Sequence, residues 1–186
     1  MKRIYLIPAG VFLSVAFLFA QQAGINCRHF NIQNGLLSNY IEYTYVDREG
    51  YVWFATSNGL QQFDGYTFTN YNYNADDSTS ISYNFITSVC EDDSGKIWIG
   101  TLGRGVDVLN KENQVIHHIR NSNQNPNLLS SNLVLRGMES FASDNSGNIW
   151  LNTDNGLNKI NSAGYTVEQY KGDFNGELLF DKKENV

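Results

Sequence analysis

The chain has 186 residues, 41% hydrophobic and 13% aromatic, too apolar for a disordered segment and ordinary for a folded β protein. Its net charge of −6 comes without a cluster of Lys and Arg, which excludes the electrostatic footprint of a nucleic-acid binder. The two cysteines, Cys27 and Cys90, form neither a disulfide framework nor a metal spacing; Cys90 reads as a small core residue, with pairing in an oxidising compartment as the alternative.

Lys2 and Arg3 precede an apolar run, residues 4–20, which gives way to Gln21-Gln22. That order of charge, greasy core and small residue is a secretory leader, with cleavage expected after Ala20. Read instead as an uncleaved anchor, its 17 residues, Pro8 among them, fall short of the ~20 needed to span a bilayer. Asn26 before Cys27 is bulky and polar, a poor lipoprotein processing site.

Beyond the leader the pattern predicts an all-β chain. Residues 27–32 read as a lone strand, followed by an Asn34-Gly35 turn. A first blade takes strands at 41–46, 52–56, 60–63 and 67–71, and a polar loop at 72–80 separates it from a second with strands at 85–90, 96–101, 106–109 and 115–119. After residues 120–131, which hold Pro126, a third blade takes strands at 133–141, 149–153, 157–160 and 165–170. No amphipathic helical stretch of useful length occurs.

These blades are one unit written three times. Asp47, Asp92 and Asp144 each start a copy, and Trp53, Trp98 and Trp150 hold the same place in it, 45 and then 52 residues apart. Such a period marks a propeller or solenoid, in which each unit buries its apolar surface only against its neighbours. Asp followed three residues later by Gly (Gly50, Gly95, Gly147) suits a tight turn. The next run, V-W-F, I-W-I or I-W-L, is apolar at consecutive positions and predicts a strand covered on both faces. Ala55 and Gly100 come directly after, small enough for a neighbouring backbone to approach, whereas Asn152 breaks that pattern. A second glycine turn leads to the third strand, so the repeat is a β-meander.

The crossovers into the blades repeat as well: Leu37-Ser38-Asn39, Ile81-Ser82-Tyr83-Asn84 and Leu129-Ser130-Ser131-Asn132. Their Ser and Asn side chains are expected to bond backbone and hold the crossover. Signs of catalysis are weak. Ser143-Asp144-Asn145 lacks an S-x-x-K partner, and Gly103-Arg104-Gly105 lacks the third glycine of a nucleotide loop. His117 and His118 are expected on opposite faces of a strand, unable to share a metal, and His29 stands alone. No catalytic residue, metal site or cofactor is assigned.

The pattern D-x-x-G-x-[I/V]-W-x-G-T-x-x-G-[L/V], preceded by L-S-x-N-x-[I/V], resembles the regulator-propeller repeat of periplasmic sensors, notably hybrid two-component systems of gut Bacteroidota that switch on polysaccharide-utilisation genes. The stretch from Arg28 to Ser38 resembles the mature N-terminus of that family, whose first strand completes the last blade of a ring. The resemblance implies a signal peptide at 1–20, propeller repeats over 27–171 (blades about 37–72, 81–120 and 129–170) and an irregular tail over 172–186. It also implies a sensor acting as a homodimer, with further blades and a histidine kinase in a longer chain and an oligosaccharide as ligand. Three blades and one closing strand predict a partial β-propeller that does not close by itself.

In that reading the ligand meets the loops at 72–80 and 121–128 and the turn at Arg104, with Tyr73, Tyr83, Arg104 and Asn123 as candidate binding residues. One rival is a propeller scaffold that binds a protein through one rim of loops. Another is a sialidase-like glycosidase fragment, since the turn-and-Trp unit resembles the Asp-box. That enzyme needs an arginine cluster, whereas Arg28, Arg48, Arg104, Arg120 and Arg136 fall at different repeat positions.

Overall fold

A computed structural model describes residues 27–112, 116–122, 128–136 and 140–172. The expected leader, Val115, Asn123, Pro126 and the tail beyond residue 172 lie outside them. The described residues form three four-stranded antiparallel meanders. Blade A comprises β1 (Ile41–Val46), β2 (Val52–Thr56), β3 (Gly59–Phe63) and β4 (Phe68–Tyr71); blade B comprises β5 (Ile86–Glu91), β6 (Ile97–Thr101), β7 (Val106–Leu109) and β8 (Ile116–Ile119). Blade C comprises β9 (Phe141–Ser143), β10 (Asn148–Thr153), β11 (Gly156–Asn161) and β12 (Val167–Tyr170). The first strands face one another, β1 against β5 and β5 against β9, as the inner edges of propeller blades do. The sheets do not close into a ring among the described residues.

Asp47, Asp92 and Asp144 build one turn three times. In each, Oδ1 accepts backbone N–H groups two and four residues on: Glu49 and Tyr51, Ser94 and Lys96, Ser146 and Asn148, at 2.8–3.0 Å. The following glycine is left-handed, with φ of 89, 83 and 75° at Gly50, Gly95 and Gly147, a conformation only glycine adopts without cost. The second carboxylate oxygen does what the turn alone does not require. Trp53, Trp98 and Trp150 donate their indole N–H to Oδ2 of Asp47, Asp92 and Asp144, each at 2.9 Å. A buried indole needs an acceptor, so the Asp that shapes the turn also lets a large ring enter the core with its polar atom satisfied. Burial pushes the Asp144 carboxyl up, but donors from Trp150, Asn148 and Ser146 outweigh it and hold its pKa below the ordinary value.

The blades stack face to back. Trp53, Ala55 and Leu60 of blade A meet Ile86, Ile97, Ile99 and Leu109 of blade B; Trp98, Val106 and Val108 of blade B meet Ile149, Leu151 and Ile160 of blade C. All of these are essentially sealed from solvent, which is why β6, between two neighbours, is buried at every residue. Charges reinforce the first junction: Lys111 of blade B reaches Asp47 and Glu49 of blade A and Glu91 of its own blade at 2.9–3.3 Å. Although burial disfavours its charge, those carboxylates hold the Lys111 pKa above its usual range.

Three expectations are corrected. Residues 27–31 form no strand, so the predicted closing strand is absent here. Asn31 accepts from Gln33 N–H and donates its own amide to Asn34, capping a single 3₁₀ turn at Ile32–Asn34, and this local bonding replaces a ladder. The segment instead lays Phe30 edge-on against Phe63 and Phe68 (centroids 5.1 and 5.4 Å), covering the outer face of blade A. Second, of the strand predicted at 133–141, the described residues place a strand only at Phe141–Ser143, and residues 137–139 lie outside them. Val134 and Leu135 donate to the carbonyls of Thr101 and Asn152, so the start of the predicted run bridges blades B and C.

The third correction concerns Gly100. What approaches it is side chain, not backbone: a Cβ there would lie 2.5 Å from Ser88 Oγ, 2.7 Å from Val134 Cγ1 and 3.0 Å from Phe141 Cε2. Gly100→Val is therefore expected to destabilise the B–C junction by about 1–3 kcal/mol, and Gly100→Ala by less, through overpacking. Urea titration followed by Trp fluorescence measures both; equal stability of wild type and valine variant contradicts the packing.

Both thiols are free. Cys90 packs against the core, where burial pushes its pKa up, in keeping with a packing role; Cys27 is exposed.

Candidate functional site

The rim carrying the crossovers is anchored by one buried polar side chain per blade. Gln61, Asp107 and Asn158 occupy the same place on β3, β7 and β11, and all three are fully buried. Gln61 Oε1 accepts from Leu37 N–H, Asp107 Oδ2 from Ser82 N–H and Oγ–H, and Asn158 Oδ1 from Ser130 N–H, at 2.7–3.1 Å. The crossover asparagines fix the preceding loop: Oδ1 of Asn39, Asn84 and Asn132 accepts N–H of Ile32, Tyr73 and Asn121. Each loop is thus tied to a strand interior, the role expected of these Ser and Asn residues. The strand partner was not foreseen, although a polar residue directly after the G-[L/V] of each copy marks it.

Where the connection from blade A enters blade B, this rim opens into a cleft of about 340 Å³ lined by Tyr73, Ser82, Tyr83, Asn84, Arg104 and Arg120. Three of the four candidate residues therefore share one concavity; Asn123 lies outside the described residues. Tyr73 and Tyr83 are 51% and 41% exposed, leaving ring surface for a ligand. Arg120 was not singled out from sequence. The register exposes it, because pairing of Val106 with Ile119 sets Arg120 beside Gly105 and next to Arg104. The remaining arginines among the described residues are engaged elsewhere: Arg28 with Gly65, Arg48 with Glu91 and Asp93, Arg136 with Glu42.

His118 joins the cleft to the loop that carries Tyr73. Its Nδ1 lies 2.6 Å from Asp107 Oδ1, and Nε2 lies 3.2 Å from the Ser78 carbonyl. Hydrogen bonding to Asp107 raises the imidazole pKa above its ordinary value, against burial and the positive charge of Arg120. His117 faces the other way and stacks on Tyr165 with centroids 4.4 Å apart, so the two histidines occupy opposite faces as expected. Among the described residues no group of three His, Cys, Asp or Glu side chains converges on a possible metal position.

A family model described as the two-component regulator propeller matches residues 35–58 and 80–103, the first two crossovers with their turns and tryptophan strands. Over those residues the chain is similar to two-component regulator propeller repeats. The third copy has the same Asp to Trp bond and the same buried rung at Asn158, so the regulator-propeller geometry extends beyond the matched residues. The chain superposes on the extracellular domain of the hybrid two-component system BT3049 from B. thetaiotaomicron with a TM-score of 0.70 and 28% identity, covering 77% of this chain and 20% of that one. For BT4673 of the same organism the values are 0.64 and 26%, covering 80% and 21%. Histidine kinase P4 of Formosa agariphila is 37% identical over 79 residues, 39% of this chain and 6% of that protein. The chain thus spans a small part of each relative's length.

Proposed function

We propose that this regulator propeller is the extracytoplasmic ligand-sensing region of a hybrid two-component sensor histidine kinase, with a carbohydrate as ligand and polysaccharide utilisation as the regulated output. The observation that carries the reading is the cleft at the entry to blade B, where two half-exposed tyrosines and an arginine meet on the rim of a fold similar to extracellular sensor domains. Tyrosine rings offer flat faces to sugar rings, and Asn84, Ser82 and Arg104 supply polar groups that orient hydroxyls. In this function the propeller catalyses nothing; it shifts the balance between two arrangements of a paired ectodomain by binding one better than the other. The N-terminal Lys2-Arg3 and apolar run supply export to the periplasm. No helix of the described residues is long and apolar enough to cross a membrane.

Isothermal titration of the exported protein with oligosaccharides from plant and host polysaccharides tests the reading. At least one saccharide is expected to bind with a dissociation constant of about 1 mM or tighter, and Arg104→Ala to weaken it at least ~10-fold. Folded protein that binds no member of the panel removes the carbohydrate assignment, and binding unaffected by Arg104→Ala moves the site elsewhere.

A further inference from the structure

The two arginines of the cleft carry charge that no carboxylate answers among the described residues. Among the described residues, neither Arg104 nor Arg120 is ion-paired, and neither guanidinium is hydrogen-bonded to a protein group. They are not free to drift apart: at Gly105 a Cβ would lie 3.2 Å from the Arg120 Cα, so the two backbones are locked side by side at the end of β7 and β8. The nearby carboxylates are already committed. Asp77 accepts the Thr79 N–H and hydroxyl, and Asp107 accepts from Ser82 and meets His118. A pair of like charges held on one concave wall, in a chain with net charge −6, repels itself until an anion arrives.

Resting on the carbohydrate reading above, we infer that the ligand is an acidic saccharide whose carboxylate or sulfate group lies between Arg104 and Arg120. Arginine suits this task because its planar fork meets a carboxylate or sulfate with two parallel N–H donors, which a hydroxyl cannot reciprocate. The adjoining tyrosines receive the sugar ring, and Asn84, whose Oδ1 is held by Tyr73 N–H, keeps the two walls in register. Arg120 becomes a specificity residue: it selects charge, while the aromatic faces accept saccharides generally.

The test titrates the whole chain with two matched series: uronate-containing oligosaccharides beside their carboxyl-reduced forms, and sulfated oligosaccharides beside their desulfated forms. At least one acidic member is expected to bind at least ~10-fold tighter than its neutral counterpart, and to lose that margin in 0.5 M NaCl. Arg120→Gln removes the margin, whereas Arg120→Lys keeps part of it; both arginines are exposed, and thermal melts confirm that the variants are folded. Which series binds distinguishes carboxylate from sulfate. Neutral and acidic members binding equally, or a margin untouched by Arg120→Gln, overturns the inference and leaves the carbohydrate reading standing. Failure of every member of both series overturns both.

Discussion

Trp98→Ala is expected to lower the stability of the folded chain by about 3–5 kcal/mol, enough to unfold much of the population of a marginally stable domain. Three losses coincide at this residue. The ring is fully buried between blades B and C, so its removal leaves a cavity lined by Ile149, Leu151 and Ile160. Asp92 Oδ2 loses the indole donor at 2.9 Å while remaining 1% exposed, which strands a buried carboxylate oxygen. Tyr165 of blade C, whose ring centroid lies 5.9 Å from that of Trp98, loses a packing partner. Trp150→Ala is expected to cost less, because among the described residues no further sheet packs on that face of blade C, and the buried ring keeps 8% of its surface exposed against 0% for Trp98. Urea denaturation of both variants checks the order. Equal losses contradict the face-to-back stacking of blades.

Asp107→Ala follows, with an expected cost of about 3 kcal/mol, because one buried carboxylate serves two loops. It holds the crossover into blade B through Ser82 and the loop at 72–80 through His118 and Ser78. Without it, the buried Ser82 amide has no acceptor. The pair also predicts a pH dependence. Asp107 raises the folded pKa of His118, so the extra stability is complete below the unfolded imidazole value of about 6.5 and is lost as pH rises through the folded value. Thermal melts from pH 5 to pH 8 are expected to show wild type losing stability relative to His118→Gln over the upper part of that range. A constant difference between the two proteins contradicts the ion pair. Because His118 is partly exposed, the loss is modest.

Much of the architecture was legible because a repeat is a local statement made three times. The Asp-to-Gly spacing, the apolar run around each tryptophan and the second glycine turn specify a hairpin whatever surrounds it, and β1, β2 and β7 keep their expected bounds. The failures occur where local preference met a competing partner. The apolar alternation of residues 27–32 suits a strand, but a strand is made by a neighbouring edge, and here Asn31 and Asn34 satisfy the backbone locally. Val134 and Leu135 are drawn to carbonyls at the ends of β6 and β10. The site divides in the same way: Tyr73, Tyr83 and Arg104 were legible as loop residues, whereas Arg120 acquires a role only through the register of β7 with β8.

The sequence by itself determined the unit of this protein: a turn begun by Asp, a strand centred on Trp, a glycine turn, and the number of times they recur. These depend on contacts within some twenty residues, which the order of side chains dictates directly. Only the tertiary structure decided which indoles are packed between two blades among the described residues, that the Asp of each turn also accepts the indole N–H, and that two arginines sixteen positions apart line one cleft with no carboxylate paired to them. Such facts arise from antiparallel register and the packing of one sheet on the next, which join residues that the chain keeps apart.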